Sequence, residues 1–373
     1  MSGSIWRCTK SCFKAAGDNR KPVDPVSSIL IIRPSAIGDV VMASPMIKVL
    51  REGNPEARLV WLAEPQVRDL LCANPQLDQV IIWPKGKWRD LFRRGRLIAL
   101  VREIRCLART LRRENFDLAL DVQGLLRSRL LAWLSGARER VGFESREPGR
   151  FLLTRVVPRG SDKRMSSEYF RLMESLDLQP GAFRPEVIVS GPNREEAARI
   201  LREAGLAGKF AVICPFTTRP QKHWFEERWA ALALEIEARF GLPVILLGGP
   251  GDAEGSRRIQ TLTGGRIHDF AGRTSLGQTA AIIESCALLV GVDTGLTHMG
   301  TAFARPTAAL FGATCPYLST ASPLTRVLYD RHSCSPCRRN PTCEGEFQCM
   351  KAITVEKVVE VAGELLTQSE PRG

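Results

Sequence analysis

From Ala287 a short apolar, branched run reaches Val292, breaks at Asp293, Thr294 and Gly295, and gives way to small and apolar residues at helical spacing from Leu296 to Phe303. Pro306 ends that helix before a second apolar run, Thr307 to Phe311. Short continuous apolar runs suit parallel strands buried on both faces, so the stretch predicts strand, tight turn, helix, strand. The alternation recurs along the chain. Strands are expected at Ser28–Arg33, Leu59–Leu62, Val80–Trp83, Phe116–Val122 and Arg140–Phe143. Between them, helical spacing follows Ser35, Gly38 and Asp39 (apolar Val40, Val41, Ile47, Leu50) and recurs over Gln66–Ala73, Arg96–Glu114 and Leu125–Leu134. In Arg96–Glu114, residues Leu97, Leu100, Val101, Ile104, Leu107, Ala108 and Leu111 share one face.

Pro180, Gly181, Pro185, Gly191 and Pro192 then interrupt the pattern around one short expected strand, Glu186–Val189. It resumes with a helix at Glu195–Ala204, a strand at Phe210–Cys214, a helix at Phe225–Phe240 and a strand at Pro243–Leu247. A Gly-rich turn (GGPGDAEG) opens the next helix, and helices follow at Ser275–Ser285 and 354–367. Alternating strands and helices imply an α/β fold of two doubly wound units, 28–185 and 193–330. A disordered extension is expected at 1–27, and a Cys-rich segment with a final helix at 331–373.

Length and composition agree: 373 residues suit two domains, and 44% hydrophobic residues can fill two cores. No apolar run approaches the roughly 18 residues of a membrane span, and the first residues have no signal-like apolar core, so a cytoplasmic protein is expected. Lys plus Arg is 53 against 40 Asp plus Glu, a net +13 that suits an anionic partner. The surplus is densest from Lys85 to Arg113. Its helical arginines read as a solvated face. The preceding stretch, Lys-Gly-Lys-Trp-Arg with Phe92, reads as a flexible loop able to hold an anionic acceptor or an acidic membrane surface. No nucleic-acid-binding motif is present, and no nucleic acid is expected. Of eleven cysteines, Cys72, Cys106, Cys214 and Cys286 lie in apolar contexts and read as small core residues. Cys334, Cys337, Cys343 and Cys349 are either zinc thiolates or else reduced thiols or occasional disulfides.

Chemistry is expected at the turns. A helix start leaves backbone N–H groups free and suits a phosphate, so Asp293, Thr294 and Gly295 are either a ligand turn or only a cap. Asp39 either caps its helix or faces a cleft. Thr217, Thr218, Lys222 and His223 share a loop whose hydroxyls and ammonium can bind phosphate oxygens. Asp252 can accept a ribose hydroxyl. The first turn lacks GxGxxG, so a dinucleotide site is not indicated.

Five motifs in combination resemble a known family: SAIGDVV at the first turn, DVQGL at 121–125, TTRPQKHW at 217–224, GGPGD at 248–252 and DTGLTH at 293–298. The chain resembles the ADP-heptose:lipopolysaccharide heptosyltransferases of glycosyltransferase family 9, and within them the heptosyltransferase I branch. The resemblance spans about residues 28–330 and implies the GT-B fold, two Rossmann-like domains across a cleft. It implies inverting transfer of heptose from ADP-heptose to the Kdo-bearing inner core of a lipid A precursor at the anionic inner-membrane face. Asp39 would be the catalytic base, and Lys222, with Thr217 and Thr218, would hold the donor phosphates. Asp293, Thr294, Gly295 and His298 would form the pyrophosphate and sugar site, and Thr274 would lie at the adenine. Asp252 stands where heptosyltransferase I has a glutamate on the ribose. No metal or other cofactor is expected. The alternatives are a related family 9 transferase using another nucleotide-sugar or a later core acceptor, a nucleotide-sugar epimerase, and a basic non-catalytic binding protein.

Overall fold

A computed structural model describes residues 26–160, 162–337 and 341–369; the extension up to residue 25 lies outside the described residues. The first half comprises β1 (Ser28–Ile32), α1 (Ile37–Ala43), α2 (Pro45–Gly53), β2 (Arg58–Ala63), α3 (Arg68–Leu71), β3 (Gln79–Ile82), α4 (Lys85–Arg93), α5 (Leu97–Arg113), β4 (Leu118–Asp121), α6 (Leu126–Leu134), β5 (Glu139–Phe143), β6 (Arg155–Val157) and α7 (Ser167–Ser175). The second comprises α8 (Gly191–Glu203), β7 (Ala211–Cys214), α9 (Glu226–Phe240), β8 (Val244–Leu246), α10 (Ala253–Leu262), β9 (His268–Asp269), α11 (Leu276–Ser285), β10 (Leu288–Val292), α12 (Gly295–Ala302), β11 (Thr307–Phe311), β12 (Thr325–Tyr329), α13 (Gln348–Lys351) and α14 (Val355–Ser369).

Both sheets are parallel and six-stranded, ordered β3-β2-β1-β4-β5-β6 and β12-β11-β10-β7-β8-β9. Their topology is the same, with the order reversing between β1 and β4 and between β7 and β10. Crossovers leave such a reversal on opposite faces and open a crevice at the strands' carboxyl ends. β1, β10 and β11 bury every residue, as strands covered on both faces must.

The halves touch directly: α1 packs on α12, and α3 on α11. Val41 and Leu70 of the first half share an apolar cluster with Phe210, Ile282 and Met299 of the second. Leu318 N–H donates to Lys163 O (2.6 Å) and Met165 N–H to Ser319 O (2.9 Å), clipping a first-half segment to a second-half loop.

Several local expectations change. Residues 85–93 are a helix, not a flexible loop: Trp88 stacks edge-on against Trp83 (5.8 Å), and Lys85 Nζ binds Glu64 (2.8 Å). The apolar face of α5 is buried only in its second half, at Leu107, Ala108 and Leu111. Glu186–Val189 forms no strand. Its period-two pattern serves instead to press Val187 and Val189 into the cluster between the halves, while Glu186 N–H bonds Ser44 Oγ (2.8 Å). Cys72 and Cys106 are exposed, because one ends α3 and the other falls on the outer side of α5; Cys214 and Cys286 are buried as expected. The Cys-rich segment and α14 pack onto the second sheet, with Cys349, Met350, Val358 and Leu365 in its main core.

Candidate active site

The residues singled out by sequence gather at the two reversals. Asp39 follows β1, and Asp121 ends β4 beside it. Lys222 follows β7, and Asp293 follows β10. Helix starts α1 and α12 bring the reversals face to face. A Cβ at Gly295 would lie 2.5 Å from Ile37 Cγ2 and 2.9 Å from Gly38 N, and one at Gly38 would lie 2.6 Å from His298 Cδ2. Glycine at both positions is what lets the two turns meet backbone to backbone.

On the first side, Asp39 Oδ2 pairs with Arg33 (2.6 Å) and accepts the Ala36 N–H (3.4 Å), so the capping expectation holds in part. Arg33 is buried and donates to Val122 O (2.9 Å), which fixes the guanidinium against β4. Among the described residues Asp39 Oδ1 has no partner, and the side chain is 39% exposed. Asp121 is wholly buried; burial pushes its carboxyl up despite N–H bonds from Gln123 and Gly124.

The second side is more fully knit. Asp293, 11% exposed, binds Lys222 Nζ (2.6 Å) and the Thr314 hydroxyl, and faces His298 Nε2 at 3.4 Å. Burial would raise its pKa, but the bond and charge of His298, followed by those of Lys222, outweigh it and hold the carboxylate well below its usual range. Thr217 Oγ1 donates to Asp293 O (3.2 Å), and His223 Nε2 lies 2.8 Å from Thr217 O, so the 217–224 loop is tied to the turn. Thr218 is exposed in that loop. Thr294 is the N-cap of α12 and Gly295 its first residue; the first-turn N–H groups have no intrahelical acceptor.

Three predicted donor residues make hydrogen bonds within the protein. His298 is buried, with Nδ1 2.8 Å from Tyr317 OH and Nε2 on Asp293. Asp252 Oδ2 accepts the Gly249 N–H (2.7 Å), and Thr274 Oγ1 meets Thr279 Oγ1 (2.8 Å). The Asp252 turn and the Thr274 loop are neighbours, since Gly272 N–H bonds Gly248 O (2.9 Å). Arg33, Thr314 and Tyr317 were not picked out from sequence. An arginine ending an otherwise apolar strand was the signal for the first, and a GATCPY turn after a predicted strand the signal for the others. The four C-terminal cysteines are free thiols, and among the described residues no group of three His, Cys, Asp or Glu side chains is placed to hold a metal ion.

Two Rossmann-like domains opposed at their reversals define a GT-B architecture. Residues 104–347 match the family model described as glycosyltransferase family 9 (heptosyltransferase). The chain belongs to this family and is a glycosyl-transferring enzyme. It is 27% identical to lipopolysaccharide heptosyltransferase 2 of Escherichia coli K12 over 92% of this chain and 99% of that one. It is 28% identical to lipopolysaccharide heptosyltransferase 1 of Pseudomonas aeruginosa over 84% and 87%. The solved structure of E. coli ADP-heptose lps heptosyltransferase II superposes with a TM-score of 0.70 at 26% identity, covering 92% of this chain and all of that one.

Proposed function

We propose that this enzyme transfers heptose from ADP-heptose to the Kdo-bearing inner core of a lipopolysaccharide precursor, with inversion at the anomeric carbon. One observation carries the reading: a half-exposed carboxylate with an open oxygen faces, across a backbone-to-backbone contact, a helix start flanked by a lysine. The relatives named above, heptosyltransferases 1 and 2, support the donor and the acceptor class. A related transferase taking another nucleotide-sugar or a later core acceptor is the alternative.

In this reading Asp39 Oδ1 takes the proton from the acceptor hydroxyl while Arg33 holds Oδ2, so the base keeps its aim as it is protonated. The acceptor oxygen bonds the anomeric carbon, the bond to the diphosphate oxygen breaks, and its electron pair leaves with ADP. Lys222 has three N–H donors and uses one on Asp293; the others, with the first-turn N–H groups of α12, meet the charge growing on the diphosphate. Asp293 then acts as the group that aims Lys222 and Thr314, since an anionic phosphate and a carboxylate repel. Asp252 and Thr274 border the nucleoside end.

The test is ADP release from ADP-heptose with and without a Kdo2–lipid A acceptor. Acceptor-dependent release by wild type that disappears in Asp39→Ala is expected. Release independent of acceptor, or an unaffected variant, would overturn the assignment. Release from a different nucleotide-sugar would favour the alternative.

A further inference from the structure

The exposed half of α5 belongs to a larger surface. Helices α5 and α6 cover the same face of the first sheet: Leu107, Leu111, Leu131 and Ala132 pack with Leu30, Ile32, Val60 and Leu62 in one cluster. The side of α6 opposite that cluster therefore faces solvent, and the first turns of α5 run on beyond it, uncovered. There α5 carries Leu97, Ile98 (90% exposed) and Val101, with Phe92 beside them at the end of α4. On α6, Leu126, Leu130 and Trp133 recur one and two turns apart and are all exposed. The segment that packs on α6 adds Phe151, 83% exposed. α4 packs on α5, and α5 on α6, so the apolar side chains lie on adjoining elements.

Cations accompany them. Lys85 to Arg113 holds eleven Lys and Arg and only two acids, Asp90 and Glu103. Lys87 pairs with Glu103, and Arg89 lies 3.9 Å from Asp90. Among the described residues Arg93, Arg94, Arg96, Arg102 and Arg105 have no carboxylate partner, and all are exposed. Exposed apolar and aromatic side chains among unpaired arginines are the composition of a surface that seats in a headgroup layer. A second copy is disfavoured, because a two-fold contact would oppose two sets of arginines. No helix among the described residues is long and apolar enough to cross a membrane, so the contact would be peripheral.

We infer that the exposed surface formed by α4, the uncovered first turns of α5 and the outer side of α6, with Phe151, docks the enzyme on an anionic phospholipid bilayer. α4 follows β3, and α6 follows β4, at the carboxyl edge of the sheet that also carries Asp39. Docking by this face thus sets the first domain's crevice near the headgroups. The inference deepens the functional reading above and rests on it for its purpose, an acceptor anchored in lipid, but it is read without turnover.

The test is flotation of the full chain with phosphatidylethanolamine–phosphatidylglycerol vesicles and with pure phosphatidylcholine vesicles. Binding to the anionic vesicles alone, weakened by salt, is expected. Ile98→Ser with Phe151→Ser should lower the partition about tenfold or more, since two large side chains lose their burial. Arg93→Gln with Arg94→Gln should lower it and flatten its salt dependence. Equal partition of wild type and variants, or no preference for anionic lipid, would overturn the inference. So would a wild-type dimer in sedimentation velocity that becomes monomeric in Ile98→Ser/Phe151→Ser, which would make the face a self-contact. That pair should release ADP at the wild-type rate with a deacylated, water-soluble acceptor; a loss there would assign the face to the site itself. Failure of wild type to release ADP with any acceptor would count against the functional reading and leave the vesicle result standing.

Discussion

The two reversals share a topology and differ in how they use a carboxylate. Asp293 spends its oxygens on a lysine, a threonine and a histidine in a nearly closed setting, whereas Asp39 commits one oxygen to Arg33 and leaves the other without a partner among the described residues. A saturated carboxylate can position neighbours but has nothing left to accept; a half-satisfied one can accept a proton. The same strand-end location thus holds a fully bonded carboxylate on one side and, in the function proposed above, the base on the other, and the difference lies in the partners, not in the fold.

The sharpest way to break that contrast is Asp39→Ala. It should lower turnover by about 10²–10⁴ while donor affinity, measured by calorimetry, stays within a factor of about two. Equal losses in both would remove the distinction between the sides. Lys222→Ala should weaken donor binding and slow transfer, together by about 10²–10³ in kcat/KM. It should also destabilise the protein by about 2–4 kcal/mol in urea unfolding, because Asp293 stays buried with a partner gone. Gly295→Ala sharpens the comparison differently. Its Cβ would force Ile37 and the Gly38 backbone away, so both substrates' KM values should rise several-fold with about 1–3 kcal/mol of lost stability.

The smallest effect is on acid stability. Asp293 has a depressed folded pKa, so its contribution is present above the ordinary aspartate value of about 4 and is lost progressively as pH falls below it. Asp293→Asn should therefore show a shallower fall in unfolding free energy between pH 5 and pH 3 than wild type. Parallel curves would deny the carboxylate that role.

Much of this was legible in the sequence because buried parallel strands write themselves as apolar runs. Thr307–Phe311 was read to the residue, and β1, β7 and β10 to within one. β6, β12 and α7 went unread: the two strands are partly exposed edge strands that each carry an arginine, and α7 mixes charge through its apolar positions. At the site, sequence order gave the turns but not their closure. Arg33 meets Asp39 six residues away, whereas Thr314 and Lys222 reach Asp293 only once the second sheet has been assembled. Periodicity placed the apolar stripe of α5 on one face but did not tell that its first half is exposed, because a stripe reads the same whether or not a core covers it.

The contact between Gly38 and the start of α12 has a consequence for how this sequence can vary. Positions 37, 38 and 295 fill one volume, so a methyl added at 295 is a change felt at 37 and 38. Substitutions there are non-additive by construction, as for any residues in direct contact. Although 295 lies far along the chain from 37 and 38, the three behave as a single genetic unit: a library that randomises position 295 alone will return glycine, and alternatives can emerge only where the first turn is allowed to drift with it.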